Sequence, residues 1–194
     1  MITSMTQLKI MEVQVPHHLR SAELGIVGRS KAIENVIRII ERAATTDYPL
    51  LLVGETGSGK ELAARTVHIL SKRKSGPFVP VNCAAIPQTL MESTLFGHIK
   101  GAFTGADHDR KGCFELAFNG TLFFDEIEAM PHELQAKLLR VLEDGTFVPV
   151  GGSEIVKANV RIIAATNSDI DTAVSEGKFR QDLFFRKKVL RINL

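Results

Sequence analysis

The chain of 194 residues carries 24 Lys and Arg against 22 Asp and Glu, a formal net charge of +2, and is 44% hydrophobic. That is enough for one substantial core and short for two, and with so even a balance of charge no strip of phosphate-neutralising residues is evident, so direct DNA binding by this chain is not expected. The two cysteines, Cys83 and Cys113, form neither a metal-ligand pattern nor a disulfide framework, and no apolar run approaches bilayer length; two free thiols in a cytoplasmic protein, with no membrane partner, are expected.

Residues 1–24, around Pro16-His17-His18, alternate only weakly and read as a leader or linker ahead of a folded core over 25–194. In "GRSKAIENVIRIIERAA" the spacing of Ala32, Ile33, Val36, Ile39, Ile40 and Ala43 predicts an amphipathic helix with Ser30 as its N-cap. Five apolar runs then follow, "YPLLLV", "FVPVN", "TLFFD", "VRIIAAT" and "KVLRINL", with helical patterns such as "KELAARTVHILSK" and "PHELQAKLLRVLEDG" between them. Runs that are apolar on both faces suit buried parallel strands, so the expected fold class is α/β: an open, doubly wound, mostly parallel sheet flanked by helices, with ligands beyond the carboxyl ends of the strands.

Between the first such strand and its helix lies "GETGSGKE", residues Gly54, Glu55, Thr56, Gly57, Ser58, Gly59, Lys60 and Glu61, which matches G-x-x-x-x-G-K in the strand-to-helix context that gives the pattern meaning. Glycines let the backbone point amides at phosphate oxygens, the helix N-terminus adds partial positive charge, and Lys60 adds a full one. Position 61 holds Glu where the general pattern has a hydroxyl for magnesium, and a carboxylate there also complements the helix dipole by itself.

"TLFFD" ends on Asp125 and Glu126, the layout of a Walker B segment: Asp125 to hold magnesium and Glu126 to polarise the water that attacks a γ-phosphate. Asn82 and Thr166, the latter followed by Asn167, end two further strands on the same expected edge and are candidates for positioning Glu126 and that water. Arg180 and Arg186 are six residues apart, so on one helix they would point away from one another; either they are solvated, or they serve the nucleotide of a neighbouring subunit. In "LFGHIKGAFTGA" a lone aromatic, Phe103, stands between glycines that make the segment a poor helix or strand, so by physics alone it either tucks into the core or forms a contact tip.

Together these motifs resemble the AAA+ ATPase domain of bacterial enhancer-binding proteins, the NtrC-like activators of sigma-54 RNA polymerase. The likeness runs from about Gly25 to Leu194 through "GETGSGKE", "VNCAAIP", "LFGHIKGAFTGA", "GTLFFDEI", "KLLRVLEDG", "VGG", "VRIIAATN" and "FRQDLFFR". It implies ATP and Mg2+ at residues 54–61 and Asp125, with Glu61 usual in the family. It also implies a switch role for Asn82 toward Glu126, a first sensor at Thr166 and Asn167, and arginine fingers at Arg180 and Arg186. Hydrolysis would then depend on a ring, typically a hexamer, and Gly101, Ala102, Phe103, Thr104, Gly105 and Ala106 would contact the sigma-54 RNA polymerase holoenzyme. Departures are Ile99, where an acid is frequent, and Lys187-Lys188, where Leu-Asn is common; the family's helical lid and its usual helix-turn-helix domain are not found in these 194 residues. The resemblance implies an ATP-hydrolysing activator core; a truncated, non-hydrolysing nucleotide- or sigma-54-binding module is the alternative, and a small-molecule kinase is disfavoured by Glu61 and GAFTGA.

Overall fold

A computed structural model describes residues 30–167, 170–184 and 189–194. The leader over 1–24, Arg186 and the Lys187-Lys188 pair lie outside the described residues.

Ser30 caps α1 (Lys31–Ala44) by accepting a hydrogen bond from the Ile33 N–H at 3.3 Å. The buried stripe of this helix is narrower than its periodicity implies. Ile40, Ala43 and Ala44 are buried, whereas Ala32 and Ile39 are exposed, because the C-terminal half carries the packing against the sheet. There follow β1 (Leu50–Val53), α2 (Lys60–Leu70), β2 (Phe78–Asn82), α3 (Gln88–Phe96), α4 (Cys113–Leu116), β3 (Thr121–Asp125), α5 (His132–Asp144), β4 (Thr146–Phe147), β5 (Val156–Lys157), β6 (Arg161–Thr166), α6 (Ile170–Ser175), α7 (Gln181–Phe184) and β7 (Leu190–Asn193).

Five strands form one parallel sheet in the order β2-β3-β6-β1-β7, and β4 with β5 forms a separate antiparallel pair. The strand alternation sorts the core into two layers. Leu50, Leu52, Phe123, Ile163, Ala165 and Ile192 face α1 and α2, while Leu51, Leu122, Phe124 and Ile162 face α3, α4, α5 and α7. Three of the five expected runs, β1, β3 and β6, are buried on both sides in this way or nearly so. The other two are the edges of the sheet: β7 has only Ile192 buried and β2 only Val81, and Pro80 is tolerated in β2 because an edge strand need not offer every N–H to a ladder.

At the amino ends of the strands Arg161 is buried, with Nη2 donating to the Ala43 carbonyl at 2.7 Å at the C-terminus of α1. Burial lowers its pKa to about 10, Asp47 opposing this and Arg73 adding to it. The carboxyl ends of the strands, on the opposite side, carry the motif residues.

Candidate functional site

The site is assembled by register. In the sheet Val53 pairs with Thr166, and Asn82 with Asp125, so the residues that follow these strands share one edge. The Gly54 N–H donates to the Thr166 carbonyl at 3.2 Å, tying the start of the glycine loop to the end of β6. Gly57 and Gly59 have φ of 85° and 86°, a region that a Cβ makes costly, and a Cβ added at either would meet nothing within 4 Å. The loop is therefore open on its outer side, and α2 begins at Gly59 with no side chain capping its first amides. Backbone donors at a helix start facing free space suit a phosphate chain.

Lys60 is almost fully buried, and its Nζ donates to the carbonyls of Gly54 and Glu55 at 2.8 Å each. The ammonium is thus held over the concave side of the loop. Glu61 accepts from Arg65 Nε and Nη2 at 3.0 and 2.8 Å, and the Arg65 guanidinium sits 4.7 Å from the centre of the Phe78 ring. Glu61 is also one of the residues that line the cavity beside the loop, so the dipole-complementing role and a place at the site coexist.

A cavity of about 250 Å³ is lined by Thr56, Gly57, Gly59, Lys60, Glu61, Asp125, Glu126 and Asn167. Asn167 Nδ2 donates to Thr56 Oγ1 at 3.1 Å, which brings the residue after β6 onto the glycine loop. Thr166 is fully buried behind it. Asp125 Oδ1 accepts the Glu126 N–H at 3.1 Å, and Glu126 adopts a left-handed backbone, φ 51° and ψ 51°, as the chain turns from β3 into the short 3-10 segment Ile127–Ala129.

Behind the acids, the Cys83 thiol is pushed up to about 12, by burial first and then by the negative field of Glu128, Asp125 and Glu126. Cys83 and Cys113 are both free, as expected, and both are buried. Glu128 therefore belongs to the same acidic field, although only the third acid in "DEIE" marked it in the sequence.

The donor set fits a magnesium nucleotide. Mg2+ retains several waters and is commonly held by one or two carboxylates plus substrate phosphates, which Asp125 beside an open phosphate loop can accommodate. No cluster of three or more His, Cys, Asp or Glu that could hold a metal unaided occurs among the described residues.

Two expected roles look different in detail. Asn82 Oδ1 accepts the Ala85 N–H at 3.0 Å, so its side-chain oxygen closes the turn after β2, although its backbone stands beside Asp125. Arg180 lies just before α7 rather than within a helix. Its guanidinium donates to Asp182 at 3.0 and 2.6 Å, and this pairing raises its pKa. It borders an open groove of about 630 Å³ with His132, Gly177 and Asp182 instead of entering the cavity of its own chain.

The GAFTGA segment is a turn on a tight stem. Gly97 and Gly112 close the stem backbone to backbone: a Cβ on Gly97 would stand 2.5 Å from the Arg110 carbonyl, and one on Gly112 would collide with Gly97 N. The His98 N–H donates to the Arg110 carbonyl at 2.9 Å and the Arg110 N–H returns a bond to the His98 carbonyl at 2.8 Å, while Val150 flanks the other side. Within the turn the Gly101 N–H donates to the Ala106 carbonyl at 2.8 Å. Ala106 is buried, Gly101, Thr104 and Gly105 are exposed, and Ala102 packs on Gly151. Phe103 is 39% exposed, with its ring edge-on to His98 at 4.9 Å. It neither tucks into the core nor stands free in solvent.

The Sigma-54 interaction domain family model matches residues 26–193. The chain belongs to that family. A Nif-specific regulatory protein of Rhodobacter capsulatus is 56% identical over 170 residues, 88% of this chain and 29% of that protein. The DNA-binding transcriptional regulator NtrC of Azospirillum brasilense is 51% identical over 172 residues, 89% of this chain and 36% of that protein. Among solved structures, NtrX from Brucella abortus in complex with ADP aligns with a TM-score of 0.80 at 42% identity, covering 88% of this chain and 37% of that one. This sigma-54 interaction domain thus spans about a third of the length of these relatives, and its parallel sheet and glycine loop are those of a P-loop NTPase of the AAA+ class. Among the described residues no helix is long and apolar enough to cross a membrane.

Proposed function

We propose that this domain hydrolyses ATP to ADP and phosphate within a ring, a hexamer as the motif set implies, and transmits the cycle through residues 101–106 to sigma-54 RNA polymerase holoenzyme. The observation that carries the reading is the convergence of Lys60, Asp125, Glu126 and Asn167 on one cavity at the sheet's carboxyl edge. The solved NtrX complex with ADP supports nucleotide as the ligand.

In this reading the amides from Gly57 to Glu61 and the Lys60 ammonium hold the phosphates, which concentrates opposing charge where it accumulates in transfer. Asp125 would hold Mg2+, which would neutralise phosphate charge. Glu126 takes up the proton of the attacking water, and Asn167, already bonded to the loop through Thr56, senses the terminal phosphate. Thr166 fixes the strand end from which Asn167 projects, and Asn82 orients the turn beside the acids. Arg180, turned away from its own cavity, and Arg186 act on the neighbouring protomer's nucleotide. DNA contact is no part of this domain's work, and the cytoplasm is its compartment.

The test joins chemistry to partner. ATP turnover per protomer should rise with protein concentration, and sigma-54 should be retained in the presence of an ATP transition-state mimic and released by Phe103→Ala. Full retention by that variant would overturn the loop assignment, and turnover independent of concentration would overturn the ring.

A further inference from the structure

A side chain outside every motif ties the acid-bearing loop to the segment that carries Arg180. Gln135 is on α5, fully buried, in the stripe otherwise made by Leu134, Leu138 and Val141. Its Nε2 donates to the Met130 carbonyl at 2.8 Å and to the Lys178 carbonyl at 3.1 Å, and its Oε1 accepts the Arg180 N–H at 2.8 Å. Both amide donors are used and the oxygen is engaged, so the group is satisfied where burial makes an unmet bond costly.

The three partners belong to different parts of the machine. Met130 follows the 3-10 turn that begins just after Glu126, and its N–H is bonded to the Ile127 carbonyl at 3.0 Å. Lys178 and Arg180 lie between α6 and α7, where the Lys178 and Phe179 N–H groups bond the Ala173 carbonyl at 2.9 and 3.0 Å and the Phe179 side chain is buried. Among the described residues, the Arg180 side chain itself has only the exposed Asp182 to hold it. Its main chain is what the fold fixes, and Gln135 makes that bond.

We infer that Gln135 is a positioning residue for Arg180: it sets the backbone from which the guanidinium is offered to the neighbouring protomer and fastens that backbone to the loop carrying the protomer's own catalytic acid. The inference rests on the reading of Arg180 as a group acting in trans. A misplacement on the order of 1 Å in such a group costs about 10²-fold in rate, against about 10³- to 10⁵-fold for deleting an arginine finger.

Gln135→Met keeps the volume and removes all three bonds. Turnover in the assembled ring should fall about 10²-fold while affinity for a fluorescent ADP analogue is unchanged, since the glycine loop is untouched. Mixed with Lys60→Ala protomers, which have an intact Arg180 but a disabled loop, the variant should regain turnover, because its own sites then receive a well-placed arginine. Arg180→Ala mixed with Lys60→Ala is the control. If the control recovers and Gln135→Met does not, the positioning role is wrong; if neither recovers, the trans reading of Arg180 is wrong. Amide exchange of the single protomer provides an independent measurement. The Arg180 N–H should exchange at least tenfold faster in Gln135→Met while the Leu138 and Val141 amides are unchanged, and unaltered Arg180 exchange would overturn the proposal even if turnover fell.

Discussion

Glu126 offers a sharp test of how the site is built. Its φ of 51° and ψ of 51° place a residue with a Cβ in the left-handed region, at a cost of about 1–2 kcal/mol. The geometry is imposed from both sides: Asp125 Oδ1 takes the Glu126 N–H, and the Glu126 carbonyl accepts the Ala129 N–H at 2.9 Å to start the 3-10 turn. Glu126→Ala removes the carboxylate and keeps the strain. Glu126→Gly removes both but returns about 0.5–1 kcal/mol of freedom to the unfolded chain. The glycine variant should therefore be the more stable of the two by about 0.5 kcal/mol.

That order is the reverse of the ordinary one. At Glu133, exposed in the first turn of α5, glycine should fall below alanine by about 1 kcal/mol. The comparison between the two sites is then about 1.5 kcal/mol, measurable from urea midpoints at constant m. Both position 126 variants should lose turnover, so a gain in stability and a loss of chemistry would come from one residue, as expected where strain is held at a functional position. If alanine exceeds glycine at 126 by the same margin as at 133, the left-handed turn is not intrinsic to the fold.

His68 and Phe114 provide two further checks. His68 is held below its usual 6.5 by burial first, with Arg161 and Arg65 adding and a bond involving the Gly76 backbone opposing. The unfolded chain therefore binds that proton more readily, so this contribution to stability is complete above 6.5 and is lost as pH falls below it. The urea midpoint should drop on acidification with a smaller slope in His68→Gln, and an unchanged slope would remove His68 as the cause. Phe114→Ala, which empties a fully buried site between Phe96, Phe124 and Phe147, should cost about 3–5 kcal/mol, read by urea unfolding; a loss below about 1 kcal/mol would mean the four rings do not form one packed unit.

The sheet and the cavity at its carboxyl edge were legible because each rests on a local signal: apolar runs of strand length, and the glycines, lysine and acids placed at their ends. The edge position of β2 was also encoded, in Pro80, but a strand apolar by composition looks buried until its neighbours are known. Helices α3 and α4 bracket the GAFTGA turn and escaped pattern reading, since nine and four residues give too few turns for periodicity to declare itself. The strands β4 and β5 have two residues each, below what alternation can reveal. Gln135 did leave a trace, as an amide on the apolar stripe of α5; two of its three partners lie 43 and 45 residues away, and only the tertiary fold brings them together.

The same distinction between local signal and tertiary contact decides how the loop could be moved. Phe96 ends α3 immediately before the stem, Phe114 follows it in α4, and their rings stack at 5.2 Å. Phe147 of β4 touches both, at 5.8 and 5.6 Å, and Phe114 reaches Phe124, the residue before Asp125, at 6.2 Å. Four aromatic rings thus join both ends of the stem to the strand that ends at Asp125 and leads into Glu126. Close-packed interiors pass displacement on with little loss, whereas Gly101 and Gly105 at the tip have nothing within 4 Å of where a Cβ would be. On the proposed cycle, a shift at the end of β3 would carry the stem as a rigid piece, and Phe103 would leave His98 by rotation of the glycine-flanked tip alone. The stiffness that a lever requires is supplied by phenylalanines outside the hexapeptide, so a substitution at Phe96 or Phe114 should uncouple the loop from the nucleotide without altering a single residue of GAFTGA.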